Sequence, residues 1–364
     1  MTYFKLLVCL FFLFIPNAGD LFAQDTREFK IFQFPSNMIP RIDGKKDDWD
    51  IVPSNYLIGI NEMRMFDPED SGKHLAINPK NLDVKVKVGW VKGLNRLYFL
   101  YEAHDNYWDF SLPDLHNDIF EVVVDGDQSE GPFITPLYRN KKVDPMDAFF
   151  SFQGVHAQNY HIYTPAKGKE WAYVWGPQQW IKKLPYANAA CNYSFNPGES
   201  GDLILEFWIT PFDYAGAEGP SRAVESLLFE NKTIGLSWAT LDYDDVNKKH
   251  YNGFWTLSKE LHMYENASYL LPFRLMPLEN KFIKPIDAEF SFAVSDMNRR
   301  MVYFIDESKG IIKSRKWSFG DGQTSIEQNP IHFYSKAGYY TVILWIEGPS
   351  GKSRMAKVWE VAVK

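Results

Sequence analysis

Leu82-Asp83-Val84-Lys85-Val86-Lys87-Val88 alternates apolar and polar side chains without a break. A period of two puts the apolar set on one face of an extended strand. Trp90 follows, Gly93-Leu94-Asn95 supplies a turn, and Arg96-Leu97-Tyr98-Phe99-Leu100-Tyr101-Glu102 reads as the returning strand of a hairpin. Further strands are predicted at 119–125, 148–152, 203–209 and 233–241, with turn residues between them. One helix is predicted, a short one around 221–229. A parallel α/β fold needs helices between its strands, and the pattern lacks them. The fold class expected is all-β: a large antiparallel β-sandwich with a short helix.

The chain has 364 residues, enough for two or three domains. A hydrophobic fraction of 45% and a charged fraction of 23% describe a globular chain. A net charge of −7 provides no basic field for nucleic acid or anionic lipid. The aromatic residues number 28 Phe, 20 Tyr and 12 Trp, and with 23 Gly and 21 Pro as punctuation they favour strands over helical bundles. Such rings build sandwich cores, and they also build carbohydrate-binding surfaces.

Lys5 precedes the apolar run 6–15, Pro16 breaks it, and Leu21-Phe22-Ala23 offers a cleavage site. The run is too short to span a bilayer, so 1–23 is expected to be a signal peptide and the protein secreted, extracellular or periplasmic. A tethered N-terminal anchor is the alternative. Removing the signal leaves Cys191 as the one thiol, so no intramolecular disulfide can form.

A boundary is expected at 279–286, where Pro277 and Pro285 flank the polar Glu279-Asn280-Lys281. Beyond it, Trp317-Ser318-Phe319-Gly320-Asp321-Gly322 places Trp317 and Phe319 on one strand face and then turns tightly, with glycines supplying positive φ. Pro330, His332, Tyr334, Gly338, Tyr339, Val342 and Leu344 follow. Residues 287–364 resemble a PKD domain, a small immunoglobulin-like β-sandwich, with Ser318 where that family usually has Asp. The resemblance implies a spacer or adhesion module.

Residues 24–278 form the large unit. Ile42-Asp43-Gly44-Lys45-x3-Trp49 opens it, and Val84-x-Val86-x-Val88-Gly89-Trp90 and Asp105 follow. Then come Asn117-Asp118-Ile119-Phe120-Glu121, Leu205-Glu206-x2-Ile209-x-Pro211-Phe212, and Ile234-Gly235-Leu236-Ser237-Trp238-x3-Asp242. In this order and spacing they resemble the family 9 carbohydrate-binding modules and the wider DOMON-like group. The resemblance implies a glycan slot in which two aromatics pinch a sugar ring. Leu115 stands where the first aromatic belongs, and Ser151 stands near the place of a hydroxyl-binding Arg. Tyr264 aligns with the second aromatic.

The candidate sugar-binding residues are therefore Trp108, Trp175 and Tyr264, followed by Trp171 and Trp180. Trp108 lies close enough in sequence to replace Leu115. Trp171, Tyr173 and Trp175 alternate, so all three are expected on one face, with Gln178 and Gln179 available to hydroxyls. An inward strand face capped by a Trp is the alternative. Asp125-Gly126-Asp127 carries oxygen ligands at alternate positions, as calcium loops do, and Asp242-x-Asp244-Asp245 is a second acidic cluster. The resemblance implies structural calcium, and Asp125 and Asp127 are the candidate ligands. No organic cofactor is implied.

No catalytic motif is present. Asp118 and Glu121 sit three apart on one strand and face opposite sides, unlike the paired carboxylates of a glycosidase. The expected function is a secreted, non-catalytic glycan-binding protein. Its expected partners are a polysaccharide and a carbohydrate-active enzyme or cell-surface partner. A structural component of a cell-surface complex and a glycan-degrading hydrolase or its accessory are the alternatives.

Overall fold

The computed structural model describes residues 27–66, 74–76, 78–110, 117–133, 155–163, 165, 168–245, 247, 251–258 and 260–364. The signal peptide, Leu115, Ser151 and the strand predicted at 148–152 lie outside the described residues.

The alternating stretch forms the strand Leu82–Val91, antiparallel to Leu97–Asp105. Gly201–Ile209 and Ala187–Tyr193 extend this first sheet on the far side of Leu97–Asp105. The second sheet centres on Thr233–Asp242. That strand pairs with Ile119–Asp125 along one edge and with Leu271–Leu275 and Gly253–Thr256 along the other. Gln158–Tyr163 and Ala172–Val174 continue it outward from Ile119–Asp125. The strand Phe29–Phe34 joins the sheets. Phe29, Lys30 and Ile31 pair in parallel with Phe273, Arg274 and Leu275 of the second sheet, while Phe32, Gln33 and Phe34 pair in parallel with Gly89, Trp90 and Val91 of the first.

The sandwich is all-β. Phe99 stacks on Phe207 at 4.6 Å, and Tyr101 stacks on Phe120 across the sheets at 4.2 Å. Phe32, Phe34, Trp49, Tyr98 and Trp208 cover the outer face of the first sheet. Ile119, Val123, Leu241, Phe254 and Met263 cover the outer face of the second. With both faces covered, every residue of Ile119–Asp125 is buried. The helix expected around 221–229 is absent. A single 3-10 turn at Pro220–Arg222 leads into the two-residue strand Val224–Glu225. Ser226 and Leu228 are buried while Leu227 and Phe229 between and beyond them are exposed, a period of two that suits extended chain and gives a helix no continuous buried stripe.

The stretch 279–286 contains the 3-10 turn Asn280–Phe282. Phe282 packs against the outer cluster of the first sheet, and Ile286 enters a separate core. That core lies between the sheet of Phe290–Asp296, Met301–Asp306 and Ile331–Phe333 and the sheet of Thr324–Ser325, Ser314–Ser318, Gly338–Gly348 and Gly351–Val363. Trp317 and Phe319 point inward together, as their alternation predicts. Gly320 and Gly322 adopt φ of 84° and 92°.

Candidate glycan site on the outer face of the second sheet

Glu121 and His161 are direct cross-strand partners, with Ala239 beyond Glu121 and Tyr173 beyond His161. All four positions therefore share the outer face. Here the sheet carries polar groups under aromatic ones. Glu121, Asn159 and His161 are buried to within 7% of full burial. Asn159 Nδ2 donates to Glu121 Oε1 at 2.8 Å, and His161 Nε2 lies 2.8 Å from the same oxygen. The Trp175 indole N–H also points at His161 Nε2. A protonated Nε2 donates to Glu121, and a bare Nε2 accepts from Trp175. Asn159 Oδ1 and His161 Nδ1 have no hydrogen-bond partner among the described residues.

Half-buried rings surround this trio. Trp175 meets the His161 ring at 5.4 Å and Tyr173 at 5.6 Å. Tyr264 meets Phe254 at 6.3 Å, and Tyr251 meets Phe254 at 5.7 Å. Burial, then the charges of Glu265 and Glu121, raises the Tyr264 phenol above its ordinary range. Burial and Glu121 do the same to Tyr251. Trp175 and Tyr264 thus belong to one cluster around Glu121.

The other three aromatic candidates sit elsewhere. Trp108, the candidate to replace Leu115 as a stacking ring, is 1% exposed and part of the sandwich core, so it presents no face to a sugar. Its ring stacks on Phe195 at 4.9 Å, and its Nε1 donates to Gly201 O at 2.9 Å. Trp171 does not share a face with Trp175. The strand spans Ala172–Val174 alone, and Trp171 packs against the core with Nε1 donating to Lys182 O. Trp180 packs on Tyr186 and Phe212 and donates to Gly216 O. Gln178 and Gln179 hold the turn after Trp175 by donating to Trp175 O, Val174 O and Gly176 O. Asn159 and His161 were missed in the sequence because Gln158–Tyr163 reads as a polar stretch rather than a buried strand.

Two acidic groups remain. In the Asp125–Asp127 loop, Asp125 accepts the N–H of Ser129 and Glu130, and Asp127 accepts Ser129 N–H. This is polar turn chemistry, with Gln128 and Glu130 at positive φ. The second group was not expected as a unit. Asp105 ends one sheet's inner strand, Asp242 ends the other's, and Asp244 follows. One carboxylate oxygen from each lies within 4.8 Å of the others. Burial first, then neighbouring carboxylates, raises Asp105 and Asp242 above the ordinary carboxylate range.

Residues 290–363 match the family model for the PKD domain. The C-terminal unit is a PKD domain. Collagenase ColQ1 of Bacillus cereus is 46% identical over 46 residues, which is 13% of this chain and 5% of that protein. The pre-pro-metalloprotease PrtV of Vibrio cholerae is 36% identical over 80 residues, 22% of this chain and 9% of PrtV. These matches are confined to the PKD domain and span under a tenth of either relative. The solved PKD1 domain of PrtV is 31% identical, with a TM-score of 0.19, covering 20% of this chain and 93% of that one. A family 9 carbohydrate-binding module from Caldicellulosiruptor kristjanssonii, solved with cellotriose, covers 71% of this chain and 98% of its own at 12% identity and a TM-score of 0.43.

Proposed function

We propose that the large unit binds a glycan on the outer face of its second sheet and that the PKD domain spaces or anchors it. One observation carries this reading: a buried polar trio, Glu121, Asn159 and His161, lies beneath half-buried rings that include Trp175 and Tyr264. Sugars present apolar ring faces that stack on aromatics and hydroxyls that need both donors and acceptors. Asn159 Oδ1 and His161 Nδ1 supply groups not committed within the trio. In this reading Trp175 and Tyr264 stack, and the trio takes hydroxyls.

A binding role fits better than hydrolysis. Glu121 faces the outer cluster, while Asp118 accepts Tyr243 N–H and Asp109 N–H on the opposite side. Two carboxylates that face apart cannot act across one glycosidic bond. Secretion, and a polysaccharide or a carbohydrate-active enzyme as partner, belong to the same proposal. Among the described residues no helix is long and apolar enough to cross a membrane.

A second reading is a structural component of a cell-surface assembly. It is favoured by Tyr303, Ile305, Ile331 and Phe333, which are exposed on one PKD sheet. A glycan array probed with the full chain separates the two. Retention on a defined glycan class supports binding, and no retention on any glycan supports the structural reading.

A further inference from the structure

We propose that Asp105, Asp242 and Asp244 hold a divalent cation with calcium's preference for oxygen ligands, tying the end of one sheet to the end of the other. This goes beyond the glycan reading and stands independently of it. The strands Leu97–Asp105 and Thr233–Asp242 lie in the two layers that Phe29–Phe34 joins, and their carboxylates meet between the layers. Asp105 is 1% exposed and Asp242 0%.

Each of these two carboxylates has one oxygen engaged and one with no hydrogen bond of full geometry. Asp105 Oδ1 accepts Tyr107 N–H at 3.0 Å, while Oδ2 has no hydrogen-bond partner. Asp242 Oδ2 accepts from Asn81 Nδ2 at 2.8 Å, while Oδ1 has none. The Trp255 indole faces Asp242 at a geometry short of a hydrogen bond. The Tyr101 and Thr240 hydroxyls, on the same inward strand faces, also lack hydrogen-bond partners of full geometry.

Carboxylates crowded together out of water repel strongly and lose their hydration. Protons or a cation can relieve this. A cation neutralises all three groups and gives the unengaged oxygens a ligand role in the same step. The ligand set is oxygen alone, which suits calcium and not zinc. By contrast, the Asp125–Asp127 loop already directs its carboxylates to backbone N–H groups.

The test uses the full chain, stripped with chelator and titrated with calcium chloride by calorimetry and by thermal melting. The expected result is saturable binding with a calcium-dependent rise in melting temperature. That rise should be lost in Asp105→Asn and Asp242→Asn and kept in Asp127→Asn. In calcium-free buffer the two Asn variants should melt no lower than the wild type, because each removes a buried charge from the cluster. No heat and an unchanged melt in the wild type would overturn the proposal. So would a calcium response lost in Asp127→Asn and kept in the other two.

Discussion

Trp49 Nε1 donates to Glu206 Oε1 at 2.9 Å, and the backbone N–H groups of Asp43, Gly44 and Lys45 converge on Glu206 Oε2 at 3.1, 2.8 and 3.1 Å. One buried carboxylate thus fastens the Ile42–Trp49 segment to the outside of the first sheet. Burial raises the Glu206 carboxyl even though these four donors favour its charge. Gly44 sits at φ 78°, where an added Cβ would lie 3.0 Å from the Cys191 backbone. The two sequence motifs, separated along the chain, are halves of one clasp.

Trp49→Phe keeps most of the ring and removes one donor from a buried carboxylate. A stability loss of about 1–3 kcal/mol is expected. Urea denaturation of the full chain measures it. A change near zero would mean the clasp is held by its backbone donors alone.

Trp108→Ala should behave as a core truncation, with a loss of about 3–5 kcal/mol. Any glycan affinity should be retained in the fraction that folds. Loss of affinity with stability unchanged would place Trp108 in the binding site, against its burial.

Gly320→Ala and Gly322→Ala form a matched pair in the PKD turn. Both glycines have positive φ, but a Cβ at Gly320 would lie 2.6 Å from Thr341 O, whereas nothing lies within 4 Å at Gly322. Left-handed backbone costs a non-glycine residue roughly 1–3 kcal/mol. Gly320→Ala should exceed Gly322→Ala, since it adds a clash with backbone. Equal losses in thermal melts would contradict this packing.

Asp306 gives an acid dependence. Burial alone would raise its carboxyl, but hydrogen bonds from Arg315 and Ser308 outweigh that and hold it below the ordinary range. The stability it contributes is full above the unfolded value of about 3.9 and is lost as pH falls through the lower folded value. The melting gap between wild type and Asp306→Asn should therefore be constant near neutrality and close below about pH 4. A gap that widens in acid would reverse the sign.

Leu82–Val91 was legible in the sequence because Asp83, Lys85 and Lys87 are not buried while the valines between them are. Trp317 to Gly322 was legible because the inward pair and the positive-φ turn each need a particular residue type. Gln158–Tyr163 was not legible, because covering both faces of its sheet buries Gln158, Asn159 and His161 and erases the polar-to-apolar alternation. Alternation also misplaced Trp171, which lies just outside the short pairing of Ala172–Val174. Asp105 and Asp242 meet only through the stacking of two sheets, which no local pattern encodes.

Binding of soluble oligosaccharide from a glycan class retained on the array, titrated against the wild type, Trp175→Ala and Glu121→Gln, tests the central claim most directly. A stacked ring adds about 0.5–1.5 kcal/mol beyond burial, and 1.4 kcal/mol is tenfold in affinity. The account predicts that Trp175→Ala weakens binding by up to about tenfold through lost stacking and further through lost burial, that Glu121→Gln also weakens it, and that both variants stay folded. Wild-type affinity in both folded variants would contradict the site, and no binding by the wild type to any glycan would contradict the function.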